Sequence, residues 1–173
     1  MGGFEAWIDV QAFLEKGGDV LFAIMIATFF LWSLIVERYW YFYGRHRKLV
    51  EETIRAWESR GDHTSWHAHR VREMMIAQVK AEVNTGIGMI QTMVAVAPLL
   101  GLLGTVTGMI EVFDVMAATG SSNARAMADG VSKATIPTMA GMVAALSGIY
   151  FSALLSRKAE TEVEQVADRL ETQ

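Results

Sequence analysis

Three long uncharged stretches alternate with charged segments along the chain. They run from Val20 to Val36, from Ile87 to Ile110 and from Ala134 to Ser156. A helix rises about 1.5 Å per residue, so roughly 20 apolar residues cross the ~30 Å hydrocarbon core of a bilayer. The pattern therefore predicts an all-α fold: a three-span helical membrane protein whose long helices extend into the cytoplasm.

The charged and glycine-rich segments between these stretches set the predicted boundaries within a single membrane domain over 1–173. In chain order, we expect an interfacial helix over 1–18, a first span over 19–43, a cytoplasmic region over 44–86, a second span over 87–116, an external loop over 117–130, a third span over 131–156 and a cytoplasmic tail over 157–173. Gly17-Gly18 is expected to end the interfacial helix. The second helix of the cytoplasmic region is expected to continue into the second span without a turn.

Basic residues concentrate at the predicted inner flanks of all three spans, as in Arg45, Arg47 and Arg157-Lys158, while the outer side carries few. Because lysine and arginine concentrate on the cytoplasmic side, this bias predicts a periplasmic N-terminus and a cytoplasmic C-terminus. The pair Glu37-Arg38 is interpreted as a snorkelling or locally paired couple at the inner boundary, and a role in coupling to a partner is the alternative.

The composition limits the partners and metal sites that the chain can have. The chain is 52% apolar and carries a formal net charge of −4, which argues against a nucleic-acid partner. It has no cysteine, so it offers no disulfide and no thiolate metal site. His63 and His67 have the i, i+4 spacing of a metal pair, but Asp62 to Ser65 resembles a turn or cap. We therefore predict no metal and no cofactor, and solvated surface positions for the 4 histidines.

Small residues recur on one face of the second and third spans. The second carries Gly101, Gly104, Thr105 and Gly108, and the third carries Ala134, Thr138, Gly141 and Ala145. Faces of this kind let two membrane helices approach closely. Counted inward from Glu111 and Lys133, the two threonines lie roughly 8–9 Å below the outer boundary.

Two antiparallel helices would thus place two hydroxyls at one level, where they could line a narrow polar path. The alternative is that each threonine bonds a carbonyl of its own helix. Lys133 is either a snorkelling anchor at the outer interface or part of that path. The uncharged runs contain no carboxylate, so a protonatable group would have to come from a partner.

Enzymatic activity is not expected. An intramembrane hydrolase would need a base beside a nucleophile such as Ser147, yet all histidines lie in the cytoplasmic region. A scaffold that packs other helices and conducts nothing stays open as an alternative.

At APLLGLLGTVTGMI (97–110) and GVSKATIPTMAGMVAAL (130–146) the sequence resembles the TolQ/ExbB/MotA family of proton-channel motor subunits, and within it ExbB. The resemblance implies a bacterial inner-membrane location and a homo-oligomeric ring of five subunits around two ExbD-type single-span helices. In that family an aspartate of the ExbD-type helix carries the proton, and the assembly energises TonB.

By motif position, Thr105 and Thr138 match the family's two pore-facing threonines, and the resemblance makes the small residues beside them pore-facing as well. Those small residues are Gly101, Gly104, Gly108, Ala134, Gly141 and Ala145. Some family members have glutamate where this chain has Lys133, so the resemblance implies a cationic contact with an ExbD-type carboxylate there. A TolQ-like subunit of the envelope-maintaining Tol system is the alternative within the family.

Overall fold

Long helices account for almost all of the described structure. The computed structural model describes residues 2–119 and 124–170, with side chains described from residue 17 onward except at 119, 124–126 and 129. The helices are α1 (Gly2–Tyr43), α2 (Arg45–Glu58), α3 (Trp66–Asn84), α4 (Ile87–Thr119) and α5 (Ala124–Arg169). No strand occurs in these ranges.

Three helical segments, Gly17–Glu58, Trp66–Ala118 and Gly130–Arg169, are long and apolar enough to cross a membrane. The predicted all-α, three-span fold is therefore confirmed. The ring expected from the family resemblance is a property of an assembly and stays a prediction.

A backbone kink divides α1 near its start. Gly18 has φ 62° and ψ −167°, which is not helical. Glycine adopts a positive φ without the steric cost that a Cβ would impose. The kink agrees with the predicted end of the first helix at Gly17-Gly18, whereas the side chains of the predicted interfacial face lie outside the described residues.

The expectation of an unbroken helix from the cytoplasmic region into the second span is wrong. Between α3 and α4, Gly86 has φ 79°. A Cβ added there would lie 2.7 Å from Arg38 Nε, so a larger residue would collide with that buried side chain as well as strain the backbone. The turn is thus fixed by a glycine that also makes room for an arginine.

The predicted external loop over 117–130 is also wrong for most of its length. Helix α4 continues to Thr119 and α5 begins at Ala124, so only 120–123 separate them, and these lie outside the described residues. The segment contains several alanines, which have the highest helix propensity, and its polarity does not prevent helix formation beyond the bilayer. At the other end, the third span and the tail form one helix, α5.

The chain divides into two compact units. Unit 1 comprises 1–32 and 92–149, and unit 2 comprises 33–91 and 150–173. Within unit 1 the described buried apolar side chains come from three helices and include Leu21, Ile24, Leu31, Val94, Ala97, Val112, Ala134, Ala144 and Ala145.

Unit 2 has its own buried set, which includes Ile35, Phe42, Trp57, Val79, Val83, Leu155, Val166 and Leu170. Arg72 of α3 donates from Nε to the Leu170 carbonyl at 2.7 Å and from a terminal nitrogen to the Ala167 carbonyl at 2.8 Å. These bonds satisfy carbonyls at the end of α5 that have no partner within the helix.

Candidate functional site

The small-residue faces of α4 and α5 pack directly against each other within the chain. A Cβ added at Gly101 would lie 2.9 Å from the Thr138 Cα, and one at Gly108 would lie 2.8 Å from the Ala134 Cα. At Gly141 the added Cβ would lie 2.6 Å from the Ala97 carbonyl oxygen. These glycines therefore set the distance between the two helices, and we call this contact the α4–α5 seam.

Thr138 bridges the two helices across the seam. Its Oγ1 donates a hydrogen bond to the Gly101 carbonyl oxygen at 2.8 Å. The side chain is partly buried, and the bond joins residues that are 37 positions apart in the sequence. A hydroxyl that the spacing alone placed on a small-residue face thus has its partner on the neighbouring span.

Thr105 makes a local bond instead. Its Oγ1 donates to the Leu102 carbonyl at 2.7 Å, within α4. Gly104 faces Pro137 and Gly108 faces Ala134, so the two helices run antiparallel. Thr105, which follows Gly104, therefore lies near the level of Pro137. Thr138 itself contacts Gly101, four residues before Thr105, so at ~1.5 Å per residue the two threonines lie roughly 3–6 Å apart along the helix axes, up to about one turn.

In the chain by itself, the predicted pore-facing small residues are covered by the opposite helix. Gly101, Gly104, Ala134, Gly141 and Ala145 are buried, and Gly108 is partly exposed. Ala145 also forms a small apolar core with Ala97 and Ala144. Their assignment to a pore surface stays a prediction, as does that of the two threonines.

Lys133 lines a groove of about 660 Å³ within unit 1, and Thr138 is not among the residues that line it. The groove is lined by all three helices of that unit and includes Asp19, Thr107 and Glu111. Lys133 is exposed, and no carboxylate among the described residues lies within ion-pair distance of it. Lys133, Asp19 and Glu111 thus line one groove, and the described residues show no ion pair between them.

Glu37 and Arg38 form the predicted local pair, with Arg38 Nε 3.4 Å from Glu37 Oε2. The arginine side chain is buried and its guanidinium stacks 5.0 Å from the centre of the Tyr41 ring. The local pairing is therefore confirmed, and the arginine contributes to the packing of unit 2.

His46 contradicts the expectation that the histidines are solvated. It is only 1% exposed, and its Nε2 lies 3.0 Å from Glu162 Oε2 of α5. The ring packs 5.8 Å from Phe42 and 6.2 Å from Tyr41. The prediction was wrong because Glu162, the partner of His46, is 116 residues away in the sequence. The amphipathic spacing of the tail did indicate that this segment packs against other helices.

His63 and His67 do not share a helix face. Ser65 is the N-cap of α3, so His63 precedes the helix, and its Nε2 contacts the Trp57 carbonyl at 3.1 Å. Within the described part of the chain, no three histidines and carboxylates come together as metal ligands do. The spacing that suggested a metal pair thus crosses a helix boundary.

These observations define a class of protein. Three apolar helices that can cross a bilayer, two of them joined along a glycine seam by a threonine bond, are typical of a multi-pass α-helical membrane protein. A profile of the MotA/TolQ/ExbB proton channel family matches residues 44–168, and the chain belongs to this family. The family consists of proton channels and is not a known class of enzyme.

Individual relatives are moderately similar. The chain is 32% identical over 101 residues to a putative biopolymer transport protein ExbB-like 1 of Helicobacter pylori, covering 58% of this chain and 53% of that protein. It is 34% identical over 96 residues to the biopolymer transport protein exbB1 of Vibrio cholerae, covering 55% and 42%. It is 30% identical over 96 residues to ExbB of Pseudomonas putida, covering 56% and 29%. The matched region thus spans about half or less of each relative's length.

Proposed function

We propose that this chain is an ExbB-type subunit of a proton-driven motor in the bacterial inner membrane, and that the motor energises a TonB-type protein for transport across the outer membrane. The observation that carries the proposal is the bond from Thr138 to the Gly101 carbonyl. It holds a polar group between two spans, where glycines leave no room for larger side chains. The relatives named ExbB support the same assignment.

In the proposed assembly, copies of this chain form a homo-oligomeric ring of five in the bilayer, with ExbD-type single-span helices at its centre. The uncharged runs of the spans hold no carboxylate, so the ExbD-type partner supplies the proton-carrying group. Thr105 and Thr138 line its path, and Lys133 lies towards the outer entrance. One charge that crosses ~100 mV releases about 2.3 kcal/mol, enough to drive a conformational step.

Exposed apolar side chains support such an assembly. In the isolated chain, α4 exposes Leu99, Leu102 and Val106, and α5 exposes Met139, Val143 and Leu146. These residues flank the seam and are available to lipid, to further copies of the chain or to a central helix.

The proposal is tested at Thr138. In Thr138→Val the shape is kept and the interhelical bond is lost, which costs about 1 kcal/mol, so the protein should still fold and assemble. We expect proton flux into liposomes containing the ExbD-type partner, and uptake of a TonB-dependent substrate, to be lost. Thr105→Val should act in the same way, whereas Thr138→Ser keeps the hydroxyl and should retain activity.

Thr135→Val is the matched control, because Thr135 lies on the same helix, is exposed, and bonds only the Ser132 carbonyl of its own helix at 2.8 Å. Full flux and uptake in both Thr105→Val and Thr138→Val would contradict the polar path.

Co-purification decides the class of assembly. An ExbD-type partner is expected, and capture of a TolR-type partner in its place would assign the chain to the Tol system. A complex that assembles with its partner but carries no proton flux would identify a non-conducting scaffold.

A further inference from the structure

Unit 2 contains a cavity of about 500 Å³ whose lining includes none of the residues of the proposed proton path. Its walls come from the end of α1, the start of α2 and the last part of α5, and they include Arg47, Glu51, Lys158, Glu162 and Arg169. A volume of this size suits a small ligand or a headgroup.

The charges of this cavity are unevenly compensated. Glu162 is engaged by His46 at 3.0 Å, and Glu51 is engaged by Arg55 at 3.1 Å. In contrast, Arg47, Lys158 and Arg169 have no carboxylate within ion-pair distance among the described residues. Both acids of the cavity thus have a hydrogen-bond partner, whereas none of its three cations has a carboxylate partner among the described residues.

A buried polar atom in the wall is also unsatisfied. His46 is 1% exposed, and within the described part of the chain its Nδ1 has no hydrogen-bond partner. A buried polar group usually has a partner in the protein or in a bound molecule.

Aromatic side chains place the cavity at the membrane surface. Lys158 Nζ lies 4.6 Å from the centre of the Tyr43 ring, 5.3 Å from Phe42 and 5.9 Å from Tyr39. Tyrosine and tryptophan concentrate at the headgroup level, and this end of α1 carries Tyr39, Trp40, Tyr41 and Tyr43. We therefore expect the cations to lie at the depth of lipid phosphates.

We propose that this cavity binds a phosphate group, supplied by an anionic phospholipid, with Arg47 and Arg169 as its principal ligands. Arginine forms charge-assisted, bidentate hydrogen bonds to phosphate oxygens. Basic pockets between membrane helices on the cytoplasmic side recognise anionic headgroups in this way. Lys158, held over the aromatic rings, adds a fixed positive charge to the site. The inference does not depend on the proposed proton path.

The test is lipid binding to the purified full-length chain, followed by native mass spectrometry with phosphatidylglycerol or phosphatidylcholine. The wild-type chain should bind phosphatidylglycerol more tightly than phosphatidylcholine. The double variant Arg47→Gln/Arg169→Gln should weaken phosphatidylglycerol binding about 30-fold, at about 1 kcal/mol per basic residue near an anionic surface, and leave phosphatidylcholine binding unchanged.

Arg45→Gln/Arg157→Gln is the matched control, because it removes the same charge from the same two helices at exposed positions that do not line the cavity. Equal losses in both double variants would overturn the site in favour of general surface charge. Arg47→Lys/Arg169→Lys keeps the charge and should retain most of the affinity, and circular dichroism verifies that every variant is folded.

Inorganic phosphate alone distinguishes the source of the phosphate group. It should neither bind detectably at millimolar concentration nor displace phosphatidylglycerol. Tight binding of phosphate with the same dependence on Arg47 and Arg169, and without lipid preference, would overturn the lipid assignment.

Discussion

At the residue scale, the absence of side chains on a few glycines decides how closely two spans approach. Gly101 and Gly141 lie on facing surfaces, and an added Cβ at either would come within 3 Å of the backbone of the opposite helix. Backbone atoms cannot move aside as the tip of a flexible side chain can. The small residues of the α4–α5 seam thus act by leaving space for the opposite backbone, and Thr138 supplies a polar bond across the seam.

Gly141→Ala should therefore destabilise the protein although alanine favours helices. Its Cβ would lie 2.6 Å from the Ala97 carbonyl oxygen, and such overpacking costs about 1–3 kcal/mol. Unfolding in detergent, followed by circular dichroism, measures the change. Gly88→Ala is the control, because a Cβ there meets nothing within 4 Å and should be neutral or stabilising. Equal stability of the two variants would contradict the close approach.

At the element scale, the chain's uncharged runs were sufficient to predict which segments span the membrane. The ends of the helices were not predictable in the same way. Polarity suggested a loop over 117–130, yet helical backbone is compatible with polar and small residues outside the bilayer. The break at Gly86 depends on a positive φ and on space for Arg38, which no periodicity reveals.

The candidate site was predictable to a similar degree. The i, i+3, i+4 spacing placed Thr105 and Thr138 on small-residue faces, but it could not choose a hydrogen-bond partner for either. That choice depends on the neighbouring helix, which gives Thr138 the Gly101 carbonyl and leaves Thr105 with Leu102. The His46–Glu162 pair escaped prediction for the same reason, since its members are 116 residues apart.

The start of α3 should be sensitive to acid. Ser65, through its hydroxyl and its backbone N–H, holds the pKa of Asp62 below its ordinary value of 3.8. A carboxyl whose pKa is lowered by folding stabilises the structure fully above the ordinary value, and this stabilisation is lost as the pH falls through the lowered pKa.

The backbone N–H groups of Thr64 and Ser65 donate to Asp62 Oδ1. Their amide resonances therefore report the protonation of Asp62 in an NMR titration. We expect them to be constant from neutral pH down to about pH 4 and to shift below it. In Asp62→Asn the acid-dependent shift should disappear. A shift that persists in that variant would have to come from another group.

At the scale of the whole molecule, the family assignment rests on 44–168, which includes the second and third spans. Orientation in the membrane is a separate matter that rests on the distribution of basic residues. Those residues follow the first and third spans, which predicts that the segment containing α2 and α3 is cytoplasmic.

Cysteine labelling tests the orientation, and the chain is suited to it because it contains no cysteine. Ser59 and Ala118 are both exposed, the first after α2 and the second near the end of α4. In intact cells whose outer membrane is permeable to the reagent, a membrane-impermeant maleimide should label Ala118→Cys and spare Ser59→Cys. Disruption of the inner membrane should make both reactive. The opposite labelling pattern would reverse the topology.

The bonds made by the two threonines have a consequence for any acid that passes them. A threonine hydroxyl has one hydrogen and two lone pairs, and a carbonyl oxygen can only accept. The Thr138 hydroxyl donates its hydrogen to the Gly101 carbonyl, and the Thr105 hydroxyl donates its hydrogen to the Leu102 carbonyl. Each hydroxyl therefore has only lone pairs left for a further hydrogen bond. A neutral carboxylic acid can donate to them, whereas an ionised one meets only electron pairs. If the two hydroxyls line the proposed path, they would therefore distinguish a protonated carboxyl group from an ionised one without themselves gaining or losing a proton.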